Sequence, residues 1–470
     1  MINSKNMILV GLSLFALSGC ATGLGPMKPV PDLDFEVQRL GPPSTWAFGS
    51  VLDQKIANEW QDIILDARLM ALINEGLRNN LSLRASAETI ARSEAIYQQS
   101  RSSLLPRISG NVSGTGSTPL EHAKLSDRYS VGVEASWEVD LWGDIDANIN
   151  AAAFNLAGAK SFYESARQSF IAQIARAYIL AIEARQQQAL SDSTLKAQIE
   201  THRIVNVRYQ LGASGKRELV LAESDIASAY DSVEVANANL RTSIRALQVL
   251  LGRYPDGDMD GDMEIPDIFP KVIPFVTAGK PADMLRRRPD IMSAEYGVRA
   301  EFSNEGVVRA GQWPSLSLSG GLSSAVSNIG DLFDPSDIIL SFGVRIAESI
   351  FDGGFTDARI SAAEASSRQA LKNYGTVVLN AFADVESKLD DVDVVERRFQ
   401  YVKKSAEAAR ETLRLAEINY KEGAVDLLDV LTFRQRSFQA DRTRLSLERQ
   451  KIEARISLYL ALGGAMPLLE

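Results

Sequence analysis

The sequence predicts a mainly helical α+β chain built twice over. Four β-strands of membrane length belong to a barrel shared between three copies, and long α-helical hairpins make up most of the rest. Three observations carry this expectation. Landmarks recur about 210 residues apart, two windows lack proline for more than a hundred residues, and apolar and polar residues alternate strictly in strand-length runs.

Composition bounds the function. In 470 residues, 45% are apolar and 23% charged, near the globular average, so disorder and collagen-like repeats are excluded. The formal net charge is −10, and no basic run exceeds Arg286-Arg287-Arg288, which argues against nucleic acid as a partner. One cysteine excludes an internal disulfide framework or a multi-cysteine metal site. The two histidines, His122 in a loop and His202 on a long helix face, lack any partner for catalysis or metal binding. No cofactor is expected, and no acid–base or nucleophile constellation marks an enzyme.

Residues 1–19 read as an export signal. Lys5 is the positive region, Met7 to Leu17 the apolar region, and Ser18-Gly19 the small residues before cleavage. The apolar stretch is too short for a stable transmembrane helix. The single cysteine follows at once, in Leu17-Ser18-Gly19-Cys20, which resembles a bacterial lipobox whose thiol is acylated. Ala21, not Asp, comes next, and by the lipoprotein sorting rule this points to the outer membrane. Residues 20–55, with Pro26, Pro29, Pro31, Pro42 and Pro43, are expected to form an extended, non-helical tether.

Residues 56–254 and 281–470 form the two repeats, joined by a linker at 255–280. Tyr209-Gln210-Leu211-Gly212-Ala213 recurs as Tyr420-Lys421-Glu422-Gly423-Ala424, and Leu251-Gly252 as Leu462-Gly463, an offset of 211. Upstream, Pro106 maps to Pro314 and Asn80 to Arg288 at 208, so a three-residue slip lies between. From Ile145 to Tyr209 the chain suits one helix of about 100 Å. Gly212, Gly215 and Gly423 mark turns after which a second helix returns. Ile171, Ile174, Tyr178 and Ile182 recur at helical spacing, as do Leu413, Ala416 and Tyr420.

The strands alternate with period two. Tyr129, Val131, Val133, Ala135, Trp137, Val139 and Leu141 are interleaved with Ser, Gly, Glu and Asp, and the repeat partner runs Ile338, Leu340, Phe342, Val344, Ile346. Shorter partners precede them at Ile108 to Gly116 and at Leu316 and Leu318, with polar loops expected at 116–127 and 323–337. Membrane barrels need strands of this length, although a soluble sandwich gives the same alternation. Trp137, Trp142 and Phe351 near the strand ends suit an aromatic girdle. Four strands cannot enclose a lumen, since the smallest single-chain membrane barrels have eight. An exported chain with four such strands shares its barrel with other copies, and three copies give twelve.

Together these residues resemble the TolC-type outer-membrane factors, most closely the lipoprotein branch serving RND efflux pumps. The resemblance rests on Cys20, the duplicated strand–strand–hairpin plan, the two Tyr-x-x-Gly turns, and Leu285-Arg286-Arg287-Arg288-Pro289-Asp290-Ile291 with Ala294-Glu295. It implies a homotrimer in the cell outer membrane, with a twelve-stranded barrel continued by a helical coiled-coil periplasmic tunnel. Its partners are a periplasmic adaptor, an inner-membrane RND pump and outer-membrane lipid. Conduction of drugs or other small molecules is passive, in keeping with the lack of a Gly-x-x-x-x-Gly-Lys-Ser/Thr motif. The alternatives are a type I secretion channel and a periplasmic structural coiled-coil lipoprotein without a pore.

Three motifs remain. Pro289 suits the first helical position and Asp290 places a carboxylate at the helix's positive end, a structural cap or an assembly surface. Asp256, Asp258 and Asp260, with Asp267 at the twelfth place and Gly261 at the sixth, imitate a calcium loop. The flanking prolines and the final Asp instead of Glu favour a solvated linker. At the hairpin ends, the resemblance implies a tunnel gate of Asp429, Glu218, Tyr420 and Leu428, with Glu218 bonded to Tyr420. Thr432 and Val425 stand where the family carries acidic and basic residues, so this latch departs from the pattern.

Overall fold

The computed structural model describes residues 31–39, 41, 44–47, 66–118, 126–258, 264–271 and 281–464. Cys20, Asp260, His122 and the export signal lie outside them. The elements run α1 (Leu33–Arg39), α2 (Ala67–Asn79), α3 (Leu81–Ser102), β1 (Arg107–Ser117), β2 (Ser126–Val139), α4 (Asp144–Gln210), α5 (Lys216–Leu250), α6 (Pro281–Leu285), α7 (Pro289–Ala310), β3 (Ser315–Val326), β4 (Ile339–Ala347), α8 (Phe355–Lys421) and α9 (Leu427–Ala461).

Duplication is visible helix by helix. Helices α4 and α8 each have 67 residues, α5 and α9 each have 35, and both pairs are offset by 211. Helices α3 and α7 each have 22 residues, offset by 208. The strand pairs 107–139 and 315–347 keep the offset of 208, so the slip falls after them, where the β2–α4 and β4–α8 connections differ in length.

Two expectations are corrected. The N-terminal segment is not wholly extended, because α1 forms in the proline-free interval between Pro31 and Pro42 and buries Leu33 and Val37, one helical turn apart. The loop expected from Ser323 is strand as far as Val326. Gly320, Gly321 and Ser323-Ser324 blur the alternation in sequence, yet Tyr129, Ser130 and Val131 pair with Val326, Ala325 and Ser324.

The chain divides into two compact units, each drawing on both repeats. One comprises residues 1–40, 88–161 and 292–377 and contains the sheet, whose order is β1-β2-β3-β4 with every neighbour antiparallel. Register aligns the apolar positions across all four strands: Ile108 faces Ala135, Val133 faces Leu322, Trp137 faces Leu318, and Leu318 faces Val344. The opposite face is hydroxyl and glycine, with Ser113 and Ser130 hydroxyls 2.8 Å apart and Glu134 between Ser109 and Gly321. The apolar face is uncovered, and Val112 and Phe342 are 76% and 81% exposed. Among the described residues strands β1 and β4 each have a partner on one side only. Near the strand ends Trp142 stacks on Trp313 at 5.3 Å and donates to the Pro314 carbonyl at 2.8 Å, while Phe351 is exposed.

The second unit comprises residues 41–87, 162–291 and 378–470. Its core sets Leu69, Leu72 and Ile73 of α2 against Ile174, Tyr178 and Ile182 of α4 and Leu240, Ile244 and Leu247 of α5. Asp66 caps α2 by accepting from the Arg68 and Leu69 amides, and also accepts from the Tyr178 hydroxyl at 2.9 Å. Burial, with Asp66 beside it, pushes the Tyr178 phenol well above its usual range. Truncating one of these buried isoleucines to alanine should cost about 2–5 kcal/mol.

The Arg-Arg-Arg-Pro-Asp motif is a clasp. Pro289 begins α7 as expected. Arg288 donates to Asp290 at 2.8 Å, to Asp384 of α8 at 3.0 Å and to the Ala461 carbonyl ending α9 at 2.9 Å. Gly463 turns there with φ +97°, so close that an added Cβ would lie 2.8 Å from the Arg287 carbonyl carbon. Gly252, φ +74°, meets the Asn79 backbone likewise in the first repeat. Leu-Gly recurs because each returning helix ends against the turn before α3 or α7.

Candidate functional site: the hairpin tips

Both hairpins turn by the same local chemistry. The Ala213 amide bonds the Arg208 carbonyl at 2.8 Å and the Ala424 amide bonds Asn419 at 2.9 Å, closing matched C-terminal motifs around Gly212 and Gly423. The glycines sit at φ +70° and +79°, the left-handed region that side chains resist. The returning helices start differently. Asp426 caps α9 through the Asp429 amide at 3.0 Å, whereas Gly215 offers α5 no side-chain cap.

The tip core gathers Val205, Ala222, Ala416, Tyr420, Leu427, Val430 and Leu431 from all four helices. Val425 packs against it, so the position where a basic residue is expected does apolar work instead. Leu428 is exposed beside Asp429, also exposed. Leu428 and Glu218 line one groove of about 390 Å³ with Arg217, Val220, Leu221, Ser224, Asp426 and Leu427.

The expected bond from Tyr420 to Glu218 is not formed. Glu218 accepts from Ser214, four residues earlier, which ties the carboxylate to its own turn. The Tyr420 hydroxyl is buried without a hydrogen-bond partner, and its ring is covered by the Arg208 guanidinium at 4.6 Å. His202 reaches Glu223 of α5 at 4.0 Å.

Of the calcium-like set, Asp260 and Gly261 lie outside the described residues. Asp256 accepts from Gln248 at 2.6 Å and from the Asp258 amide at 2.9 Å, and these donors hold its carboxyl below the usual range. Asp267 is paired with Arg185. Among the described residues no group of three carboxylate, histidine or cysteine side chains is placed to hold a metal ion. No described helix is long and apolar enough to cross a membrane.

Sequence reasoning missed a buried charge behind the tips. Arg434 of α9 is 7% exposed and bonded to both α4 and α8. An arginine amid Arg436, Arg442 and Arg444 carries no sequence signal of burial.

The outer membrane efflux protein family model matches residues 72–253 and 281–464, one copy for each repeat. The chain belongs to that family. Among curated relatives, the cation efflux system protein CusC of Escherichia coli is 28% identical over 96% of this chain and 96% of its own length. The probable outer membrane lipoprotein SilC of Salmonella typhimurium is 26% identical over 96% and 97%. Among solved structures, the open state of the Neisseria gonorrhoeae MtrE outer membrane channel superposes with TM-score 0.80 at 28% identity, covering 90% of this chain and 96% of that one. Outer-membrane residence and the duplicated channel fold follow from this membership.

Proposed function

We propose that three copies of this chain form an outer-membrane efflux channel, each giving four strands to a twelve-stranded barrel. The observation that carries this is the sheet: one apolar face aligned across four strands and, among the described residues, uncovered and with both edges unpaired. In lipid every backbone group needs a partner, so open edges require another chain. With four alternating strands, β4 of one copy meets β1 of the next antiparallel, and any number of copies closes consistently. The hydroxyl and glycine face then lines the lumen.

In this reading the channel conducts drugs or other small molecules passively, taking them from a periplasmic adaptor and an inner-membrane RND pump. Cys20 carries the lipid anchor. Pump partnership is supported by relatives named as parts of efflux systems. Exposed Asp429 and Leu428 at the start of α9 are the candidate constriction, with Glu218 holding the neighbouring turn. The test is conductance of the purified protein in planar bilayers. Discrete channels with cation preference, weakened in Asp429→Asn, are expected. Absence of conductance from correctly assembled protein refutes the function, and unchanged selectivity in the variant removes Asp429 from the constriction.

A further inference from the structure

Where the sheet meets the long helices lies a cavity of about 400 Å³. Glu138 near the end of β2, Ser315 opening β3, Ala347 ending β4 and the last turn of α7 line it. Ser315 pairs with Ala347 and Glu138 with Ser317, so these strand ends present the hydroxyl face, the lumen side of the sheet in the channel reading. One wall is aromatic. Trp142 stacks on Trp313 with ring centroids 5.3 Å apart, and its bond to the Pro314 carbonyl fixes the pair. Trp313 is 47% exposed, so an indole face remains open to a ligand. Three carboxylates, Glu138, Asp144 and Glu348, share the lining, and among the described residues no lysine or arginine joins them. Arg345, opposite Ser317 on the same face, is not part of the lining. Burial, with Asp140 and Glu138 beside it, holds the Asp144 carboxyl above its ordinary range, as crowded negative charge without a counter-ion requires.

We propose that this cavity binds organic ammonium ions, with the indole faces against the alkyl groups and Glu138, Asp144 and Glu348 around the charge. A metal ion fits poorly, because no group of three carboxylates is placed to hold one. Carboxylates spread round an aromatic wall suit instead a large cation of diffuse charge, whose weak hydration lets it leave water for a ring face. The cavity's volume admits such a ligand with room for water, so exchange is fast and the site slows passage without blocking it. The inference rests on the channel reading for its purpose: it names one class of molecule that pauses where the tunnel opens into the barrel. Its carboxylates and indoles lie far along the chain from the hairpin tips and act independently of Asp429.

The experiment reads binding and no current, so protein that binds but does not conduct refutes the channel and keeps the site. Full-length assembled protein in detergent is titrated with choline and with dimethylbutanol, its uncharged isostere, at constant ionic strength, and saturation-transfer NMR gives each affinity. Choline should bind about tenfold more tightly than the alcohol, the joint weight of a ring face and a nearby carboxylate. Trp313→Leu and Glu348→Gln should each weaken choline about fivefold. Trp313→Phe, which keeps a ring, should recover most of the affinity lost in Trp313→Leu. A variant that does not assemble is replaced by the wild-type comparison of cation and alcohol, which stands without it. Equal affinity for the two compounds, or no saturation by choline, overturns the proposal. So does choline binding that Glu348→Gln and Trp313→Leu leave unchanged, or that sodium displaces as well as choline itself, since either marks simple screening of surface charge.

Discussion

Gly463→Ala tests the close approach that ends the second repeat, and Gly423→Ala is its internal control. Both glycines have positive φ, +97° and +79°, so alanine pays the left-handed backbone cost at each, about 1 kcal/mol. They differ in surroundings. At Gly423 an added Cβ meets nothing within 4 Å. At Gly463 it falls 2.8 Å from the carbonyl carbon of Arg287 and 2.9 Å from that residue's oxygen and Cβ. Backbone cannot swing aside as a side chain does, so the last turn of α9 must lift. That loosens Leu458 and Leu462, both buried, and the Arg288 bond to the Ala461 carbonyl. Losing part of this packing and one charge-assisted bond adds about 2 kcal/mol. Urea unfolding of the purified protein, followed by circular dichroism, should place Gly463→Ala about 3 kcal/mol below wild type and Gly423→Ala about 1. Equal losses would refute the close-packed clasp.

Other consequences follow from the same geometry. Arg288→Met strands Asp384 and the Ala461 carbonyl and should cost about 2–3 kcal/mol in the same unfolding measurement, against under 1 for Arg286→Met. Val344→Arg puts a charge on the apolar face of the sheet and should reduce heat-resistant barrel in outer membranes, whereas Ser341→Arg on the hydroxyl face should assemble and lower conductance. Burial, with Asp140 beside it, holds the Asp144 carboxyl above its ordinary range, so the ionised folded state is penalised above that raised range. Asp144→Asn should therefore raise the melting temperature at neutral pH, and the gain should vanish as pH falls below the ordinary aspartate range, where both states are protonated. Wild-type protein should incorporate labelled palmitate and Cys20→Ser should not.

The duplication was legible because it is written in glycines at positive φ, where side chains are strained. Gly212, Gly252 and their partners at 211 residues recur wherever a helix must end in a tight turn, and Pro106 and Pro314 bracket the strands. Strand faces were legible where alternation was strict, as from Tyr129 to Val139, and illegible at Gly320 to Ser324, where only pairing with β2 reveals the strand. The short helix α1 is hard to see in sequence because the prolines on either side, Pro31 and Pro42, mark the whole segment as extended. At the tips, the expected Glu218–Tyr420 bond is not formed, because Ser214, in the same turn, engages the carboxylate from four residues away. Arg434 could not be found at all, since its burial depends on α4, more than two hundred residues away, as well as on its own hairpin.

If each chain supplies one third of a barrel, cross-linking of the sheet edges joins neighbouring copies into a closed ring. Val112→Cys on β1 and Phe342→Cys on β4, introduced together in a Cys20→Ser background, are joined in isolated outer membranes by a bismaleimide long enough to span neighbouring strands. A shared twelve-stranded barrel gives a denaturing-gel ladder of one, two and three chains that ends at three, and none from either single variant. A ladder ending at one chain, or continuing beyond three, would contradict it.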